Sequence, residues 1–199
     1  MKKPPIGWRS RGYLPHLEIP GLIQFITYRL EDAMPLALIK TWQQELRWMP
    51  DAERGLELQR RVERYLDAGH GQCFLNTPPI AELVENAFLF FDGERYRLLA
   101  WVVMPNHVHV LIETFAGHPL GEVAQAWKSY TALAANRLLQ RTGQFWQREY
   151  YDRFVRDEAH LQRCVHYIHE NPVKAGLVSR AEDWPYSSAR RLLGAAAEF

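Results

Sequence analysis

The sequence predicts an α+β domain, an antiparallel sheet with helices packed on it. Three observations carry that prediction. RLLAWVVM (97–104) is a nearly continuous apolar run, as expected of a central strand buried on both faces. HVHVLIE (107–113) follows after the turn signal Pro105-Asn106 and reads as a strand running back beside the first. The segments around this hairpin alternate between helical and strand-like apolar spacing, which gives the order strand, insertion, helix, strand, strand, helix, strand, helix. That order is the split β-α-β pattern of a ferredoxin-like sheet with one helix added at the C-terminal end.

Each element has its own signal. LIQFITYRL (22–30) is rich in aromatic and β-branched residues and reads as the first strand. Residues 35–68 carry Leu, Trp and charged residues at helical spacing, broken at Pro50, and read as two short helices within an insertion spanning 31–76. Thr77 before Pro78 and Pro79 marks a helix start, and IAELVENAFLFF bears the apolar stripe of a helix lying on a sheet. Residues 120–140 form a long amphipathic helix closed by Thr142-Gly143, and FWQREYYDRFV (145–155) reads as the fourth strand. Asp157 then caps a helix that runs to about Asn171, where Pro172 restricts the last residue. On that helix Leu161, Val165 and Ile168 make the expected buried stripe.

The 199 residues suit one compact domain, and 47% hydrophobic with 24% charged residues is an ordinary globular balance. Cys73 and Cys164 fit no metal or redox spacing and read as reduced thiols. No apolar run reaches the ~18 residues of a membrane span, and the basic N-terminus is followed by no apolar segment of a secretory signal, so a cytoplasmic protein is expected. A net charge of +1 excludes a strongly basic DNA coat. Charge is nevertheless uneven. Lys2, Lys3, Arg9 and Arg11 make residues 1–20 a basic arm, and 137–180 carries more Lys and Arg than Asp and Glu.

Side chains alternate along a strand, so His107 and His109 share a face, and two imidazoles so spaced can converge on one divalent cation. Tyr167 and Asn171 stand one helical turn apart and offer a phenol nucleophile and an amide-oxygen ligand. Read alone, neither pair is decisive, because a His-x-His can cap a strand edge and an Asn before Pro can cap a helix.

Together these residues carry a resemblance. MPNHVHV and YIHENPVKAGLV, joined by FWQREYYDRFVRD and followed by DWPYSS, resemble the REP-associated tyrosine transposases, single-tyrosine HUH endonucleases of the insertion-sequence type. The likeness spans roughly residues 20–190. It implies a single catalytic domain over 1–199 whose last helix is catalytic, with Tyr167 as nucleophile and His107, His109 and Asn171 as metal ligands. Many insertion-sequence relatives have Gln at the position of Asn171. The resemblance also implies cleavage of single-stranded DNA beside a hairpin, a REP-like palindrome, through a 5′-phosphotyrosine. The expected metal is Mg²⁺ or Mn²⁺, with no nucleotide cofactor and a monomer preferred to a homodimer.

Lys128, Arg148 and Arg153 are candidate phosphate contacts, and His160, two turns before Tyr167, is a candidate proton relay. Tyr150 and Tyr151 are rival nucleophiles without an amide one turn away. Two other classes compete. A histidine-triad hydrolase needs a third histidine at position 111, which is Leu111. A non-catalytic nucleic-acid-binding module with the same fold would use its aromatic residues for stacking.

Overall fold

A computed structural model describes residues 8–10, 15–17 and 19–191. Its core is a four-stranded antiparallel sheet of β3 (Ile23–Arg29), β4 (Tyr96–Val103), β5 (His107–Thr114) and β6 (Tyr151–Phe154), in the spatial order β4-β5-β3-β6. The helices are α1 (Leu36–Glu45), α2 (Asp51–Asp67), α3 (Pro78–Leu89), α4 (Leu120–Leu138) and α5 (Glu158–Lys174). The ferredoxin-like α+β architecture is therefore present. Two short strands precede it, β1 (Trp8–Ser10) and β2 (Pro15–Leu17), paired antiparallel as a ribbon that sequence reading did not foresee. Lys2, Lys3 and Arg11 of the basic arm lie outside the described residues.

Strand alternation divides the core in two. Ile26 and Tyr28 of β3, Trp101 and Val103 of β4, and Val108, Val110 and Ile112 of β5 pack with α3 and α4. Phe25, Ala100, Val102 and Leu111 point the other way, onto Cys164 and Ile168 of α5. His107 and His109 have the same parity as Leu111, so they too face α5. Trp184 also covers this second face, its indole donating to the Val103 carbonyl at 2.9 Å.

Three boundaries differ from expectation, each for a local reason. The fourth strand is only Tyr151–Phe154, not 145–155. Before it the chain turns inward. Phe145 and Trp146 are buried, and Gln147 anchors the turn through its side-chain amide on the carbonyls of Glu31 and Met34. Next, α2 is a full 17-residue helix, not a short one. Its neighbour loop is tied back where Gly71, at φ 89°, approaches Asp32 so closely that a Cβ would lie 2.9 Å from the Asp32 carbonyl oxygen. Finally, α5 continues through Pro172 to Lys174. Proline deletes one N–H near the last turn, a loss its burial and the bond from the Leu177 N–H to the Pro172 carbonyl help offset. The fully buried stripe of α5 is His160, Cys164, Ile168 and Asn171, with Leu161 and Val165 flanking it. Asp157 caps as expected, accepting from the His160 N–H at 2.7 Å.

Candidate active site

The site lies between the β5 and β3 strands and α5, with the end of α2 alongside. His107 and His109 are both about 1% exposed, and their Nε2 atoms are 3.1 Å apart. Each ring is held by its other nitrogen. The His107 Nδ1 meets Asn106 Oδ1 at 2.7 Å. The Asn106 amide nitrogen donates to the carbonyls of Leu66 at 3.2 Å and His70 at 2.9 Å, which fixes the amide with its oxygen toward the histidine. A carbonyl oxygen only accepts, so His107 carries its proton on Nδ1 and offers a lone pair at Nε2. His109 Nδ1 meets the Thr27 hydroxyl at 2.7 Å, a partner that can donate or accept and so tolerates either tautomer.

Burial keeps both rings neutral. It lowers the His107 pKa to about 3, helped by the Arg29 guanidinium, and lowers that of His109 well below the ordinary range, helped by His107 and Arg153. Neutral imidazoles with one anchored nitrogen are the form that binds metals.

Tyr167 packs its ring edge-on against His109, centroids 5.2 Å apart, and against Phe25 at 5.8 Å. Its hydroxyl is buried and makes no hydrogen bond. Burial raises its pKa strongly, and the carboxylates of Glu63 and Asp67 raise it further. One turn on, Asn171 is fully buried, and neither side-chain atom makes a hydrogen bond of ordinary geometry. Burial, with the Glu63 carboxylate beside it, raises the Asp67 carboxyl to about 6, although the Asn171 amide and Lys174 pull it down. Asp67 Oδ1 is also buried, without a hydrogen bond, 3.8 Å from His107 Nε2.

These orphaned atoms decide whether a metal suits the residues. Buried polar groups are nearly always paired. Here both amide atoms of Asn171, the Tyr167 hydroxyl and Asp67 Oδ1 are not. An octahedral ion with bonds of about 2.1 Å sets neighbouring donors roughly 3.0 Å apart. The 3.1 Å between the histidine nitrogens matches that spacing. Among the described residues no three His, Cys, Asp or Glu side chains stand in ligating geometry together, so the fit rests on the two histidines and the amide.

The other sequence candidates divide. Arg153 stands beside the site, its guanidinium 5.1 Å over the Phe25 ring. Arg148 is exposed. Lys128 is buried, and its ammonium donates at 2.7 Å to the carbonyls of both Gln147 and Arg148, which makes it a strut under the turn before β6. His160 accepts from the Arg156 N–H at 3.2 Å and so closes the start of α5. Tyr151 donates to Gln59 Oε1 at 3.1 Å. Phe145 and Trp146 belong to the core and offer no stacking surface. Sequence reading missed Asn106, Glu63 and Asp67. The first was absorbed into a turn signal, and the two carboxylates looked like the solvated face of an amphipathic helix, with no local feature to set them apart.

Known proteins share part of this sequence and its fold. The family model described as "Transposase IS200 like" matches residues 75–171, a span that includes His107, His109, Tyr167 and Asn171. The REP-associated tyrosine transposase of Escherichia coli is 27% identical over 111 residues, covering 55% of this chain and 65% of that protein. A Haemophilus influenzae protein provisionally given the same name is 29% identical over 106 residues, covering 48% of this chain and 60% of its own length. The match thus spans less than two thirds of these relatives. A solved REP-associated tyrosine transposase, bound to a REP hairpin, shares the fold with a TM-score of 0.56 at 20% identity, over 92% of this chain and 83% of that one. The matched segment carries the whole histidine, tyrosine and asparagine set, and over it the chain is similar to the IS200-like transposases and to the REP-associated tyrosine transposases.

Proposed function

We propose that this chain is a metal-dependent single-stranded DNA endonuclease and strand transferase that acts beside hairpins through a 5′-phosphotyrosine. One observation carries the reading: an unpaired tyrosine hydroxyl, an unpaired amide and two anchored histidines are buried where α5 packs on the sheet. The relative whose structure holds a REP hairpin supports the choice of substrate.

A divalent ion, Mg²⁺ or Mn²⁺, held by His107, His109 and Asn171 would polarise the scissile phosphate and take up its developing charge. The residues do the rest. Packing against His109 and Phe25 fixes the Tyr167 ring, so its oxygen attacks from a set direction. The Tyr167 Oη–P bond forms, the P–O3′ bond breaks, and the 3′-oxygen takes a proton from water to leave as a hydroxyl. The phenol's own proton passes to a carboxylate facing it, Glu63 being the group next in influence after burial. The phosphotyrosine retains the energy of the broken bond, so another 3′-hydroxyl reverses the step and joins strands without a nucleotide cofactor. Arg153, beside Phe25, and exposed Arg148 are the proposed phosphate contacts. Histidines and tyrosine come from one chain, which favours a monomer as the working unit.

The site residues between sheet and α5 are buried, so a scissile phosphate reaches them only on a strand that can bend. A duplex would first have to open, at about 1.4 kcal/mol of stacking per base-pair step. The test uses labelled DNA as a single strand with a hairpin, a single strand without one, and a full duplex, each with Mg²⁺ or Mn²⁺. Cleavage with a covalent adduct is expected beside the hairpin and lost in Tyr167→Phe. Equal cleavage of the duplex, or an adduct that survives in Tyr167→Phe, refutes the reading.

A further inference from the structure

We propose that Asp67, in the last turn of α2, is a fourth protein ligand of the divalent ion, so that the insertion completes the metal site. The inference rests on the metal reading above, and it concerns a residue outside the segment 75–171 that the family model matches.

Position is the first support. Asp67 Oδ1 lies 3.8 Å from His107 Nε2 and has no hydrogen bond. Donors on one octahedral ion stand roughly 3.0 Å apart when adjacent and about 4.2 Å when opposite, for bonds of about 2.1 Å. The carboxylate falls between these spacings, so a small rotation of its side chain brings it into the shell.

The second support is the lone pairs that Asp67 Oδ1 and His107 Nε2 turn toward each other. His107 Nε2 presents a lone pair, because Asn106 holds the proton on Nδ1. Asp67 Oδ1 presents lone pairs as well, and it makes no hydrogen bond. Two acceptors that face each other at 3.8 Å are groups that a cation between them reconciles.

The third support is charge. Two imidazoles and an amide are neutral, whereas hard divalent ions draw much of their affinity from anionic oxygen. Asp67 supplies the missing anion. It is also held in register with the histidines. The preceding residue, Leu66, is buried in the main core, and its carbonyl accepts from the same Asn106 amide that orients His107. The end of α2 and the start of β5 are thereby tied through one side chain.

The experiment measures Mn²⁺ binding by calorimetry on the full chain without DNA, so no catalytic step enters. Wild type should bind one ion, and His109→Ala should abolish the signal. Asp67→Asn should weaken affinity roughly 10–100-fold. Asp67→Cys adds a gain-of-function arm. A thiolate in the shell should raise Cd²⁺ affinity above wild type and add a thiolate-to-cadmium absorption beyond the background of Cys73 and Cys164. Circular dichroism melts show that each variant is folded. Unchanged Mn²⁺ affinity in folded Asp67→Asn, or no cadmium response in Asp67→Cys, overturns the assignment while leaving the histidine site intact. No Mn²⁺ binding by wild type overturns the metal reading itself, and this inference with it.

Discussion

Asn106 offers the sharpest test of how the insertion and the histidine strand depend on each other. The residue is fully buried and makes three hydrogen bonds, donating to Leu66 and His70 carbonyls at 3.2 and 2.9 Å and accepting from His107 at 2.7 Å. Asn106→Ala removes all three and leaves the two carbonyls and the His107 Nδ1–H to find water or nothing. Unsatisfied buried groups cost about 1–3 kcal/mol each. Partial access of solvent near half-exposed His70 moderates the sum, so a loss of about 2–4 kcal/mol is expected. For a chain of this size that corresponds to a fall in Tm of roughly 4–16 °C. The second effect is local. His107 loses the partner that selects its tautomer, and Mn²⁺ affinity should fall roughly 10–100-fold, as for other groups that orient metal-bound histidines. Urea unfolding followed by tryptophan fluorescence gives the stability, and calorimetry below the new Tm gives the affinity. A variant as stable as wild type, or one destabilised but with unchanged Mn²⁺ affinity, refutes the link between the α2 end and the histidine.

Three further predictions follow from single features. Tyr167→Phe should be as stable as wild type or more so, by up to about 1 kcal/mol, because it deletes a buried hydroxyl that has no hydrogen bond; a clear loss in a thermal melt would reveal a hidden partner. Gly71→Ala should lower stability by about 1–2 kcal/mol or more, since it combines a positive φ with a 2.9 Å approach to Asp32; an unchanged urea midpoint would show that the loop yields. Burial lowers the Lys128 pKa to about 8, so the folded state binds fewer protons than the unfolded state above that pH, and stability should rise between about pH 8 and 10.4 from this group. Lys128→Met removes that contribution, and an unaltered slope of stability against pH over this window would argue that its two carbonyl partners keep the ammonium charged.

The sequence by itself determined the sheet and the two candidate pairs. A nearly continuous apolar run and the turn signal after it placed β4 and β5, and the alternation of side chains along a strand put His107 and His109 on one face. A helical period put Tyr167 and Asn171 one turn apart. These are statements about neighbours in the chain, which local periodicity encodes. Tertiary structure alone decided what surrounds them. That α5 lies over the histidine face, and that Asn171 is buried within the last turn of the helix where a cap was conceivable, depends on packing between elements far apart in sequence. The same holds for α2, whose last turn brings Asp67 to within 3.8 Å of a histidine forty residues away. In the sequence Glu63 and Asp67 are indistinguishable from the other charges of an amphipathic helix. Phe145 and Trp146 make the same point in reverse, since aromatic residues before a strand look like a stacking surface until the turn folds them into the core. A one-dimensional pattern fixes which face a side chain takes within its own element, and only the packing of elements fixes what that face meets.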